Sequence, residues 1–245
     1  VSVDEFRYIL NTDNLTTKEK LINEFFALNY NHLDDLKLVK DEIAAYLEEE
    51  EDYLLRNLYY ACKSLIALNT AKNIEEAQQF AKKIWDRLEK FDRWYLLDIR
   101  LINTILFIFP IDVAVNIGER ATKQLIPYYN LKEAEVLLIN LDINLSVLLI
   151  DDKKYPEALS YLEKVISLCK KYQKYNQLAI AYSRKGLILQ KTGKNDEGSE
   201  YIEKAYAILN AIEDTKLIGE LEKELSYYLE VRSKGPLQLE ISQQE

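Results

Sequence analysis

Asn140 and Asn144 lie one helical turn apart in a largely aliphatic stretch of the chain, 137–149. An amide in such a setting must find hydrogen-bond partners or face water. It carries both a donor and an acceptor, so it can pair with the C=O and N–H of an extended peptide backbone. Arg100 and Asn103, three residues apart, share one face of a helix. An arginine fork can hold a carboxylate, terminal or side-chain, through two parallel bonds. Ile66, Leu106, Val147 and Leu187 offer aliphatic contact in the same regions. Together these residue types suit a short, rather apolar, extended peptide. The competing reading is that the Asn side chains bridge helices inside the fold.

Other chemistry is poorly provided for. The single histidine, His32, is the only conventional base, and it falls in a predicted turn far from Cys62 and Cys169. Two Cys and one His cannot make the usual tetrahedral zinc site. Both cysteines sit in apolar helical patterns and read as reduced, buried thiols of a cytoplasmic protein. There is neither a G-x-x-x-x-G-K-[ST] nor a G-x-G-x-x-G sequence. Carboxylates are plentiful but scattered over predicted solvent faces. The reading is therefore a binding protein, not an enzyme, with no metal and no cofactor.

The elements that would position Asn and Arg are helical hairpins marked by a repeating stencil of small residues. Ala77 and Ala81, then Ala114, Gly118 and Ala121, then Ala158 and Val165, then Gly198 and Ala205 occupy the same place in four successive units. Their anchors, 77, 114, 158 and 198, are 37, 44 and 40 residues apart. A drifting period in this range, with helical patterning inside each unit, marks a stacked helix-pair solenoid. The last unit is the cleanest: Tyr182, Gly186, Leu189, Gly193, Gly198, Ile202 and Ala205 follow the tetratricopeptide pattern. The expected fold is all-α, a right-handed solenoid of about five tetratricopeptide-like pairs with a terminal capping helix. Its first helices are expected to line a concave surface.

The stencil also serves as a ruler. With Leu65, Ile102, Ser146 and Gly186 in register, Lys63, Arg100, Asn144 and Arg184 fall two residues earlier, polar in all four units. Asn103 falls one residue later in its unit, and Tyr59 and Asn140 six earlier in theirs. The predicted peptide site is therefore Tyr59, Lys63, Arg100, Asn103, Asn140, Asn144 and Arg184.

Composition agrees with this architecture. Of 245 residues 48% are hydrophobic, with only 6 Gly and 4 Pro, so long helices and short connections are expected. A net charge of -9 disfavours direct binding to DNA or an anionic membrane, although a locally basic groove is compatible with it. The apolar run 101–111 is far too short to span a bilayer. The predicted helices are 18–28, 32–47, 53–68, 74–91, 93–109, 113–126, 131–150, 156–171, 176–191, 196–211 and 215–231. The five acids 48–52 read as a solvated helix end and start. Before them, 1–14 holds a short apolar-acidic stretch and a turn. After Val231, residues 232–245 read as a flexible tail. The absence of Met and the start at Val1 suggest a fragment that lacks an N-terminal segment. Tyr is frequent, at 18, and occurs in pairs. Most are expected at helix seams, with Tyr227 and Tyr228 as candidates for a dimer interface.

The chain resembles the regulatory domain of the Rgg/GadR/MutR family of Gram-positive transcriptional regulators. The resemblance rests on Val3-Asp4-Glu5-Phe6, on 107–112 (FIFPID), on 140–145 (NLDINL) with 147–150 (VLLI), and on Arg184-Lys185-Gly186 followed by Gly193 and Gly198. It covers nearly all of the chain to Val231. It implies an N-terminal helix-turn-helix DNA-binding domain outside this sequence, homodimers joined through the C-terminal repeats, and sensing of short imported peptides in the groove. Asn140 and Asn144 would then grip a peptide backbone, with Arg100 and Arg184 as anion or side-chain contacts. The alternative is a tetratricopeptide-like adaptor that binds a partner protein and needs no DNA-binding domain.

Overall fold

The computed structural model describes residues 15–28, 32–71 and 73–230. The stretch at 1–14 and the tail at 232–245 lie outside the described residues. Those residues form eleven α-helices and no strand. The chain divides into two compact units, one ending at Asp92 and the other starting at Arg93.

The first unit holds α1 (Thr17–Ala27), α2 (Leu33–Glu49), α3 (Tyr53–Ala71) and α4 (Ile74–Leu88). Thr16 opens α1 with a capping box: its hydroxyl accepts from the Glu19 N–H at 3.2 Å, and the Glu19 carboxylate accepts from the Thr16 N–H at 2.9 Å. Asn73 caps α4 by accepting from the Glu76 N–H at 3.1 Å. Consecutive helices pack on one another, and α1 also reaches α3, the first helix of the next pair. Phe25, Leu36, Ile43, Leu58 and Ile84 are fully buried and form the centre.

The second unit holds α5 (Leu96–Ile105), α6 (Ile111–Leu125), α7 (Lys132–Asp151), α8 (Tyr155–Tyr172), α9 (Tyr175–Lys191), α10 (Asn195–Ala211) and α11 (Thr215–Glu230). Short 3-10 turns, Leu106–Ile108 and Ile126–Tyr128, follow α5 and α6. The expected helix from residue 93 starts three residues late. Trp94 is fully buried before it, with its N–H donating to the Gln124 side chain at 3.1 Å and its ring beneath Arg120. The first helices α5, α7, α9 and α11 touch in series, while α6, α8 and α10 pack behind them. That is the helix-pair stacking the small-residue stencil predicts.

The stencil residues do the work expected of them. Ala77, Ala81, Ala114, Ala121, Ala158 and Ala205 are all buried. A Cβ on Gly186 would stand 2.6 Å from the Gly198 carbonyl oxygen, and one on Gly118 2.7 Å from a Leu145 methyl. Only glycine lets α9 meet the α10 backbone this closely, while Gly118 leaves room for the buried Leu145 side chain of α7.

Between α7 and α11 every connection is built the same way. Lys153, Gln173, Gly193 and Glu213 adopt left-handed backbone (φ 60°, 57°, 86° and 57°). The N–H of the next residue, Lys154, Lys174, Lys194 or Asp214, then returns to the carbonyl of Leu149, Cys169, Leu189 or Leu209 at 2.8–3.0 Å. These are Schellman closures, which satisfy carbonyls left open at a helix end. They recur every 20 residues without slippage.

Cys62 and Cys169 are buried free thiols, and burial pushes both up to about 12. They are unreactive core residues. No helix of the described residues is long and apolar enough to cross a membrane, and no group of three or more His, Cys, Asp or Glu among them could hold a metal ion.

Candidate functional site

The layer of first helices in the second unit carries five of the seven predicted contact residues: Arg100 and Asn103 on α5, Asn140 and Asn144 on α7, and Arg184 on α9. Asn103 and Asn144 meet. The Asn144 Nδ2 donates to the Asn103 Oδ1 at 3.0 Å, tying α5 to α7. One amide–amide bond uses one donor and one acceptor. The Asn144 oxygen and the Asn103 nitrogen have no further partner among the described residues, and neither is a fully enclosed, unsatisfied atom. The pair thus bridges helices and leaves a donor and an acceptor group uncommitted, with Asn103 itself largely buried. The bond is the helix bridge that the competing reading of these residues expects. Asn140, one turn before Asn144, is half-buried and also has no side-chain partner among the described residues. Arg100 is half-buried with interactions of its own.

Arg184 is engaged within the chain. Its Nε and Nη2 donate to the two carboxylate oxygens of Glu224 on α11, at 2.7 and 3.2 Å. Its Nη1 donates to the Ile143 carbonyl of α7 at 3.2 Å. The guanidinium is nearly buried and binds three helices of the layer together. Close by, the Tyr228 hydroxyl donates to Asp151 Oδ1 at 2.6 Å. Burial, against the Tyr228 bond and the Arg184 charge, pushes the Asp151 carboxyl above its ordinary value. The Tyr228 phenol is also raised, by burial first and then by the Asp151 charge, so it stays protonated. The Tyr228 hydroxyl is therefore engaged within the chain, while the Tyr227 ring meets the Tyr228 ring edge-on at 5.1 Å.

Asp142, between the two α7 asparagines, is fully buried. The Lys164 ammonium of α8, 2.8 Å from its Oδ2, opposes the burial that raises its pKa.

Tyr59 and Lys63 belong to the first unit. The Lys63 ammonium lies over the Phe80 ring of α4 at 4.2 Å and over the Tyr59 ring at 5.6 Å. They form part of the aromatic seam between α3 and α4.

Sequence reasoning missed Glu224, Asp151 and the Ile143 carbonyl. A signal for the first was present. Asn144, Arg184 and Glu224 are spaced by 40 residues, so one further step of the same ruler reaches Glu224.

Comparison with known proteins agrees with the fold. The chain matches the family model described as HTH-type transcriptional regulator Rgg, C-terminal domain, over residues 14–223. No curated protein matches. Among solved structures it is similar to a candidate transcriptional regulator from Listeria monocytogenes EGD-e: TM-score 0.79, 19% identity, 94% of this chain and 79% of that one. It is also similar to the competence regulator ComR from Streptococcus vestibularis, solved with its cognate signalling peptide XIP: TM-score 0.57, 16% identity, 93% of this chain and 99% of that one. ComR from S. thermophilus, solved with DNA and its signalling peptide ComS, gives TM-score 0.57 and 16% identity, with 93% and 85% covered. At these identities the structural likeness speaks for the fold alone. With most of its length matched by the family model, this chain belongs to the Rgg family of transcriptional regulators, as the C-terminal regulatory domain.

Proposed function

We propose that this domain senses a short extended peptide on the α5–α7–α9 layer and relays its presence to a DNA-binding domain. The observation that carries the reading is the Asn103–Asn144 pair, which leaves one amide donor and one acceptor uncommitted at the junction of two helix pairs. A peptide unit of an extended chain offers the complementary acceptor and donor. Asn140 adds a second amide one turn away, and Arg100 adds a cation on the same layer. The ComR structures, which hold signalling peptides, support the reading by analogy of fold.

A route to α11 follows from the same contacts. Asn144 is covalently next to Ile143, whose carbonyl accepts from Arg184, and Arg184 is clamped to Glu224 of α11. A peptide that pulls on Asn144 acts on a helix already tied to the end of the stack. It shifts the equilibrium between two arrangements by the difference in its affinity for them. In this reading the domain works inside the cell as a homodimer. Tyr227 and Tyr228, with the exposed Leu229 beside them on the terminal helix, are candidates for the seam, and DNA is contacted through the helix-turn-helix domain.

The test is calorimetry with short hydrophobic peptides encoded near the gene. Asn103→Ala and Asn144→Ala should each weaken binding by about tenfold, the scale of one or two lost backbone hydrogen bonds. Unchanged affinity in both variants would sink the assignment. Sedimentation of the same samples reads the assembly state.

A further inference from the structure

Along the hairpin of α3 and α4, cations and aromatic rings alternate. At one end the Arg87 guanidinium lies over the Tyr53 ring at 6.0 Å and the Phe91 ring at 5.3 Å. In the middle the Lys83 ammonium lies over Tyr60 at 4.9 Å and Phe80 at 5.7 Å. At the other end Lys63 lies over Phe80 and Tyr59. The Tyr60 and Phe80 rings stack, 6.4 Å apart and 16° from parallel, and so join the two helices through their side chains. Phe80, Lys83 and Arg87 recur at three- and four-residue steps on one face of α4, and Phe91 follows just past its end.

Two properties set this stripe apart from an ordinary solvated face. Its aromatics are not hidden: Tyr53 is 65% exposed and Phe91 44% exposed. Its lysines are not neutralised either. Among the described residues, neither Lys63 nor Lys83 has a carboxylate within salt-bridge distance, in a chain with 41 acidic and 32 basic residues. Carboxylates in and just before the hairpin are paired elsewhere, Asp86 with Lys82 at 2.6 Å and Glu51 with Arg56 at 3.2 Å. An ammonium resting on a ring keeps donors directed away from it. Exposed Tyr and Phe beside Arg is also the composition of interface hot spots.

We propose that the α3/α4 seam is a docking surface for an acidic, apolar-interleaved segment of a partner protein, separate from the peptide-sensing layer. Carboxylates of the partner pair with Lys63 and Lys83, and its apolar side chains cover Tyr53, Tyr60 and Phe91. Charge complementarity selects this occupant. A polyphosphate strand would meet the field of a chain with net charge -9 and find few cations to neutralise it.

The test uses the whole chain and three probes: a short synthetic peptide alternating Glu with Phe and Leu, the same peptide with Lys in place of Glu, and oligothymidylate of matching charge. The acidic peptide should bind, with affinity falling as salt rises. The double variant Lys63→Glu with Lys83→Glu should weaken it about tenfold or more. Should that variant misfold, Lys83→Gln alone changes an exposed residue and should weaken binding about threefold. Asn103→Ala and Asn144→Ala should leave this binding unchanged, which separates the seam from the sensing layer. Equal or better binding of the Lys peptide or of oligothymidylate overturns the proposal. So does no binding of the acidic peptide, or its loss in the Asn variants.

Discussion

Arg184 and Asp151 show how residues read from a pattern acquire their roles from neighbours. Arg184 is nearly buried, and its carboxylate partner is part of its site. Asp151 is the costly member of the cluster, because burial holds its carboxyl above the usual range. The sign of its contribution follows. A carboxyl that holds its proton more tightly in the folded than in the unfolded chain reduces stability while ionised. That loss is full above the folded value and shrinks as pH falls towards the unfolded value. Asp151→Asn keeps an acceptor for the Tyr228 hydroxyl and removes the buried charge. It should stabilise the chain at pH 7 by an amount on the order of 1 kcal/mol, read as a higher melting temperature, and the gain should shrink at about pH 4, near the unfolded value. Thermal melts at both pH values check this; a variant less stable than the parent at pH 7 contradicts it. The sequence made the polar positions legible by phase. It could not say which of them face a ligand and which face each other. Asn103 and Arg184 stand in similar surroundings in the pattern, and only the placement of Asn144 and Glu224 tells them apart.

At the scale of elements, the hairpin turns carry more order than their residues suggest. Left-handed backbone favours glycine, yet among the four Schellman turns only Gly193 is one. Lys153, Gln173 and Glu213 accept strain of about 1 kcal/mol each. Gln173→Gly should therefore stabilise the chain by roughly 0.5–1 kcal/mol, read as a shifted denaturation midpoint with unchanged slope. A midpoint that moves down instead would mean that the Gln173 side chain contributes something its backbone does not reveal. Element number and order were legible, because amphipathic periodicity and buried Ala and Gly are direct consequences of packing. The 20-residue beat was not, since three of its four turns lack the glycine that would announce them. The irregular 44-residue step also has a cause: a 3-10 turn, Ile126–Tyr128, is inserted between α6 and α7.

For the molecule as a whole, the division at Asp92–Arg93 was not legible in the sequence, which reads as one continuous helical array. The boundary has no run of Gly, Pro or Ser. Its marker is a tryptophan: Trp94 is buried among Arg120, Gln124 and Tyr128, and so fixes the start of the second unit. Just before it, Glu89–Arg93 is non-helical and exposed. Limited trypsin digestion should therefore cut first after Lys90 or Arg93 and leave two persistent fragments. First cleavage after Lys123 or Lys132, which flank the other exposed connection of comparable length, would count against two separately compact units.

The uniform 20-residue beat from Lys153 to Glu213 has a genetic consequence. Since each turn presents the same backbone geometry and the same returning bond, removal or duplication of one 40-residue block brings equivalent ends together. In such a gene, unequal crossing-over changes the length of the array without breaking its joints. The number of helix pairs is then open to selection in whole steps, much as a ladder changes height by rungs.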